Sequence, residues 1–339
     1  MNFSATRNAV GLIALAAAFA AVAQNVPPEL DVAANDIAFN EQTGMLYASI
    51  PSSVGPTYGN RLIEISPVDA SITGSVFVGS EPHTIGMSPD APMAYVGLDG
   101  AASVRPVDLT SLTAGTQFWL GGNGISYYPI RIAVMPGSPG TVAVARSGCC
   151  SSGVAIFDSG VMRPNAQPYP YNDSSSIGYG SDSNTLYGYD NTDSGFSLVR
   201  MTINATGIAP SLAVADGVIY GFNTWIVTDG DTVFSTSGAA VDGLKLQLLG
   251  TYTTGSFYNY SDAVVVDHAS SSVILVQDNI LYVFDRETYL KVNTVTIAAA
   301  TGNALHAAGC GPACVAVLYD SQQIFVVQDV RDIFGNGFE

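Results

Sequence analysis

The stretch Val264-Val265-Val266-Asp267, His268-Ala269-Ser270-Ser271-Ser272, Val273-Ile274-Leu275-Val276, Gln277-Asp278-Asn279 and Leu281-Tyr282-Val283-Phe284-Asp285 reads as three short strands parted by two polar turns. β-Branched and aromatic residues fill the runs, and Ser, Asp and Asn fill the breaks. The same order recurs along the chain, with second-strand centres at Tyr47, Tyr95, Ala143, Tyr187, Phe234, Ile274 and Ala316. The steps between them are 48, 48, 44, 47, 40 and 42 residues. A unit of short strands repeating about every 45 residues is the signature of a propeller blade. After the N-terminal segment, no stretch of about a dozen residues keeps apolar residues at helical spacing. The expectation is therefore an all-β chain, a seven-bladed β-propeller of four-stranded antiparallel blades.

The ends of the chain bear on how such a ring would close. The seventh copy offers strands near residues 305–308, 314–318 and 323–328 and then only a short tail, so its fourth strand is missing. Residues 30–34 precede the first copy and have no other role, which makes them the candidate outermost strand of the last blade. An open toroid would leave a sheet edge unpaired, a hazard that natural sheets avoid.

Charged residues make up only 12% of the chain, while Gly 35, Pro 17 and Tyr 17 are abundant, a strand-and-turn composition. With 47% hydrophobic residues the chain can bury a real core, which excludes global disorder. Lys and Arg number 11 against 28 Asp and Glu, for a formal charge of −17, and Lys245 and Lys291 are the only lysines. No phosphate-neutralising patch can be built from so few cations, so nucleic acid is excluded as a partner.

Arg7 is the lone charge before an apolar run over residues 10–20, which ends in Ala21-Val22-Ala23. That small-x-small pattern is what a signal peptidase cleaves, and the run is shorter than the roughly 20 residues that cross a bilayer. Residues 1–23 therefore read as a signal peptide, with a membrane anchor as the alternative. The mature chain would begin near Gln24 and be secreted, periplasmic or extracellular, with no transmembrane segment after cleavage. Residues 24–330 form the propeller in this reading, and 331–339 a short C-terminal tail.

Gly79-Ser80-Glu81-Pro82-His83-Thr84-Ile85-Gly86-Met87-Ser88-Pro89-Asp90, followed by Met93-Ala94-Tyr95-Val96-Gly97, resembles the repeat of YVTN-type, WD40-like seven-bladed propellers of secreted bacterial proteins. Copies one, four and six resemble it more loosely. The family includes lactonase-like enzymes and adhesion-associated propellers, so the resemblance implies a fold and leaves the function open. Residues 332–339 resemble a short Phe/Gly/Phe/Glu tail of some exported Gram-negative proteins.

In a four-stranded meander, the loops from strand two to three and from strand four to the next blade open on one side, here called the upper face. Tyr127, Tyr128, Tyr169, Tyr171, Tyr258 and Tyr260 fall there. Such a rim offers contact area plus hydroxyls to a protein, peptide or glycan ligand. Packing of long loops against one another is the other use for these tyrosines.

Four cysteines allow three pairings. Cys149 and Cys150 fall in an upper loop of blade three, whereas Cys310 and Cys314 flank a lower turn of blade seven. Bridges between the two sites are excluded by distance. Two local disulfides are expected, with two free thiols as the alternative at Cys149 and Cys150. His306, Cys310 and Cys314 are spaced by four, but Gly311-Pro312 breaks any helix, so no metal site is expected there. Residues 190–195 offer hard oxygens for calcium, yet such a turn usually serves only as a turn. No cofactor is expected.

No nucleophile-and-base motif, paired carboxylates or phosphate loop stands out. His83 and Arg131, with Asp262, fall at the upper ends of first strands, where they could act as base and oxyanion donor for lactone or ester hydrolysis. The preferred reading is a monomeric binding or protein-interaction scaffold that uses its aromatic upper rim, with a lactonase-like hydrolase as the alternative.

Overall fold

A computed structural model describes residues 26–121, 124, 126–148, 153–171, 173–192, 194–255 and 261–331. Seven antiparallel sheets follow one another along these residues, each ordered from an inner to an outer strand. Blade 1 comprises Asp36–Asn40, Met45–Ile50, Arg61–Ile65 and Ile72–Phe77. Blades 5 and 6 repeat this plan, the latter as Ala263–Asp267, Ser272–Gln277, Ile280–Asp285 and Lys291–Thr296. In blades 2 and 4 two short segments share the outer edge of the third strand. Each first strand touches the next around the ring, and Ala304–Gly309 of blade 7 meets Asp36–Asn40 of blade 1. All seven second-strand centres read from the sequence lie in second strands.

Ring closure joins the first described strand to the last, but with shifted bounds. Glu29–Asp31, rather than residues 30–34, pairs with Gln323–Val327, with Leu30 opposite Ile324. The Val32 N–H still donates to Gln322 O at 2.8 Å. Beyond it the chain must leave the sheet, because Asp36 already begins the inner strand of blade 1.

Burial follows strand position. Second strands are nearly continuous buried runs, as in Val315–Tyr319, because each is covered on both faces by neighbouring blades. Outer strands such as Gln247–Thr251 are exposed. The strands converge toward the axis, so the inner ones need small residues where blades meet. Ala38, Gly86 and Gly178 stand opposite Tyr47, Tyr95 and Tyr187 in the same register. A Cβ on Gly86 would lie 2.6 Å from Ile132 Cγ2 in the next blade. The second-strand tyrosines also tie blades together: the Tyr95 hydroxyl donates to Pro139 O at 2.8 Å and that of Tyr187 to Asp231 Oδ1 at 2.9 Å.

Among the described residues, helical content is confined to two single turns, Ser52–Val54 and Asp99–Ala101, both in upper loops. No helix among the described residues is long and apolar enough to cross a membrane.

Candidate functional site

The observed strand order puts the loops after second strands and after fourth strands on the same upper face. Of the six rim tyrosines, Tyr128, Tyr169 and Tyr171 are exposed there, Tyr169 at 85%. Tyr258 and Tyr260 lie outside the described residues. Tyr127 corrects the expectation: it is half-buried against the core shared by blades 2 and 3, and the Arg146 guanidinium lies 4.8 Å above its ring. Its ring also fills the space beside Gly148. The ring thus contributes to loop packing, with one face covered by the guanidinium.

Over blade 4 the upper face opens into a pocket of about 310 Å³ lined by Pro170, Tyr171, Asp190, Gly195, Ser197 and Asp216, among others. Phe196 stands beside it and packs edge-on against Tyr220 at 6.2 Å and Phe222 at 5.0 Å. Tyr220 and Phe222 are 63% and 56% exposed. The loop at 217–225 holds its position partly through the Tyr189 hydroxyl, which donates to Gly221 O at 3.2 Å. These two aromatics escaped the sequence reading, although Tyr220, Phe222 and Trp225 crowd one inter-blade loop and could have flagged it.

The start of the 190–195 segment is organised by its own side chains. Asp190 Oδ1 accepts the Thr192 N–H at 2.8 Å and its hydroxyl at 2.7 Å, an Asx turn. Asp216 likewise accepts the Ser197 hydroxyl at 2.7 Å. No group of three or more His, Cys, Asp or Glu among the described residues is placed to hold a metal ion.

A second polar cluster surrounds the upper mouth of the central channel. A cavity of about 290 Å³ is lined by Asp36, Arg131, Trp225, Asp262 and His306 above, and by Ile132, Ile177 and Val264 along the walls. Three of the inner strands carry a β-bulge at this end, between Pro82 and Ile85, between Pro129 and Arg131, and between Ala304 and His306. A bulge breaks the two-residue alternation and re-aims side chains. The three bulges coincide with His83, Arg131 and His306, the ionisable residues of those strand ends.

Asp36 is nearly buried and accepts the N–H of Ile37 at 2.9 Å and of Ile85 at 2.8 Å, which stitches blade 1 to blade 2. Arg131 Nη1 is 3.8 Å from Asp36 Oδ2, and the guanidinium lies 4.6 Å from the centre of the Trp225 ring. His306 Nδ1 is 3.7 Å from Asp36, and burial pushes its pKa down, favouring the neutral ring. Burial pushes the Asp262 carboxyl up. Its Oδ2 accepts the Asp278 N–H at 2.8 Å.

His83 turns outward from this cavity. Its Nδ1–H donates to Asp99 Oδ2 at 2.9 Å, and that hydrogen bond raises its pKa. The pair proposed from sequence as base and oxyanion donor thus sits at one mouth, with His83 hydrogen-bonded to Asp99 and turned away from Arg131, whose guanidinium lies over the Trp225 ring. Asp36, Trp225 and His306 were not assigned to a site from sequence, because no local signal says which residues of different blades share the axis.

On the lower face, Cys310 and Cys314 form a disulfide across the turn between the first two strands of blade 7, with Cα atoms 5.0 Å apart. Cys149 and Cys150 lie outside the described residues. His268 sits in a lower turn near Asp229 and Arg286.

No family model matches the chain, and no curated protein sequence does. Among solved structures, the chain is similar to Kuenenia stuttgartiensis hydrazine synthase, with a TM-score of 0.69 and 15% identity over 91% of this chain and 99% of that one. It is also similar to the Myceliophteria thermophila Cps50 (Swd1) β-propeller domain, with a TM-score of 0.67 and 12% identity over 89% of this chain and 98% of the other. At such identities the likeness is one of fold, and with the strand order above it makes this chain a seven-bladed β-propeller.

Proposed function

We propose that this chain is an exported propeller of the YVTN type that recognises a peptide segment of a partner protein through the upper face over blade 4. The carrying observation is the open pocket lined by Tyr171, together with the exposed Tyr220 and Phe222 on the loop that follows its lining residue Asp216. Aromatic side chains of this kind supply large contact area at low cost in side-chain entropy. Asp190 and Asp216 in the pocket, together with a chain charge of −17, favour a segment carrying Lys or Arg beside its apolar residues. Export is supported by residues 1–23 and by the Cys310–Cys314 disulfide, which suits an oxidising compartment. The propeller acts as a monomeric platform in this reading.

The test is a peptide and glycan array probed with the purified mature protein. Capture of basic, aromatic-containing peptides that is lost in Tyr171→Ala supports the reading. Capture of glycans alone, or no capture, overturns it. N-terminal sequencing of protein from the producing cell, with Gln24 as the expected first residue, tests export separately.

A further inference from the structure

We propose that the upper mouth of the central channel binds a small organic monocarboxylate, with Arg131 as its anion anchor and Trp225 as the plate that holds the anchor in place. Arg131 is largely enclosed, with its side chain 24% exposed. A guanidinium has five N–H donors. Among the described residues, the one carboxylate within 4 Å of it is Asp36 at 3.8 Å, beyond hydrogen-bond reach. Asp36 cannot come closer without cost, because its two oxygens already accept the backbone N–H groups of Ile37 and Ile85. The Arg131 donors therefore remain available in a cavity, while the Trp225 ring 4.6 Å from the guanidinium carbon restrains the side chain. A planar, pre-oriented guanidinium matches a carboxylate edge to edge.

Bulge placement argues that this arrangement is built. Arg131 and His306 each stand at a bulge that interrupts the inner ladder of its blade, blades 3 and 7, and a third bulge does the same in blade 2. Bulges are enriched beside functional sites, where they re-aim a side chain.

Size and charge narrow the ligand. The cavity, about 290 Å³, has room for roughly ten waters, or one small molecule. Ile132, Ile177 and Val264 line it below the polar mouth, so the ligand should carry an apolar body behind its anionic head. A single negative charge suits one guanidinium. A phosphate dianion would set a second charge near Asp36 and Asp262, which also line the site.

Isothermal titration of the mature protein with benzoate, hexanoate, hexylamine and inorganic phosphate tests this site. Expected is binding of benzoate or hexanoate with a dissociation constant of about a millimolar or tighter. Replacing Arg131 by Met should weaken it about tenfold to a hundredfold. Arg131→Lys, which keeps the charge but not the fork, and Trp225→Leu should each weaken it as well. Tyr171→Ala should leave it unchanged, which separates this site from the peptide-binding face. The proposal is overturned if neither carboxylate binds, if phosphate or hexylamine binds more tightly, or if Arg131→Met and Trp225→Leu proteins with unaltered circular dichroism bind as the parent does.

Discussion

Leu30 lies directly opposite Ile324, so that two residues near the two ends of the chain share one antiparallel ladder in blade 7. The Gln323 amide reinforces the seam by donating to Glu29 Oε1 at 2.6 Å. Deleting residues 24–34 removes this strand and exposes the edge of Gln323–Val327. A lower melting temperature and a greater tendency to aggregate are expected, read by calorimetry and light scattering. An unchanged melting curve would show that closure does not depend on that strand.

Gly86 faces Tyr95 across the inner ladder of blade 2, and its missing side chain is where blade 3 enters. In Gly86→Ala the new methyl would meet Ile132 Cγ2 at 2.6 Å and Ile132 O at 2.8 Å. The backbone of an inner strand cannot retreat from the axis easily. A loss of about 1–3 kcal/mol is expected from equilibrium denaturation.

Binding at the upper face should respond to aromatic truncation. Once a captured peptide is in hand, Phe222→Ala and Tyr171→Ala should each weaken it, by about thirtyfold if either is an anchor worth about 2 kcal/mol. His268→Ala, in a lower turn, should change nothing. The reverse pattern would place the binding surface on the lower face.

His83 and Asp99 make stability depend on pH in a defined direction. The hydrogen bond raises the folded-state pKa of His83 above its unfolded value. Its contribution is therefore complete below the unfolded pKa of about 6.5 and is lost as pH rises through the folded value. The pair is half-exposed, so the effect is small. The melting difference between the parent and Asp99→Asn should be larger near pH 5 than near pH 8. A difference that grows toward high pH would refute the pairing.

The Cys310–Cys314 bridge closes a short loop, so its entropic effect is limited. Replacing both by Ser should cost about 2 kcal/mol or less. Alkylation of the denatured, unreduced protein followed by peptide mapping should find both thiols blocked.

Much of the architecture was legible because a propeller is built from local, repeated decisions. Val273 to Val276 announces a strand covered on both faces, and His268 to Ser271 announces a turn, whatever lies elsewhere. The spacing from Tyr47 to Ala316 then counts the blades. The lower position of the Cys310 turn and the upper position of Tyr169 and Tyr171 followed from strand order alone.

Burial and pairing across blades were not legible in the same way. Tyr127 and Tyr128 are neighbours where the loop enters the inner strand of blade 3, yet one ring packs beneath Arg146 and the other is exposed. Asp36, Arg131, Trp225 and His306 come from blades 1, 3, 5 and 7 and meet only because the ring closes. By itself, the sequence determined the strand class, the blade number and the face on which each loop opens, since these follow from side-chain periodicity and the order of strands along the chain. The tertiary structure alone decided which charges share the channel mouth, because closing the ring brings the ends of inner strands from different blades together and three bulges break the periodicity there.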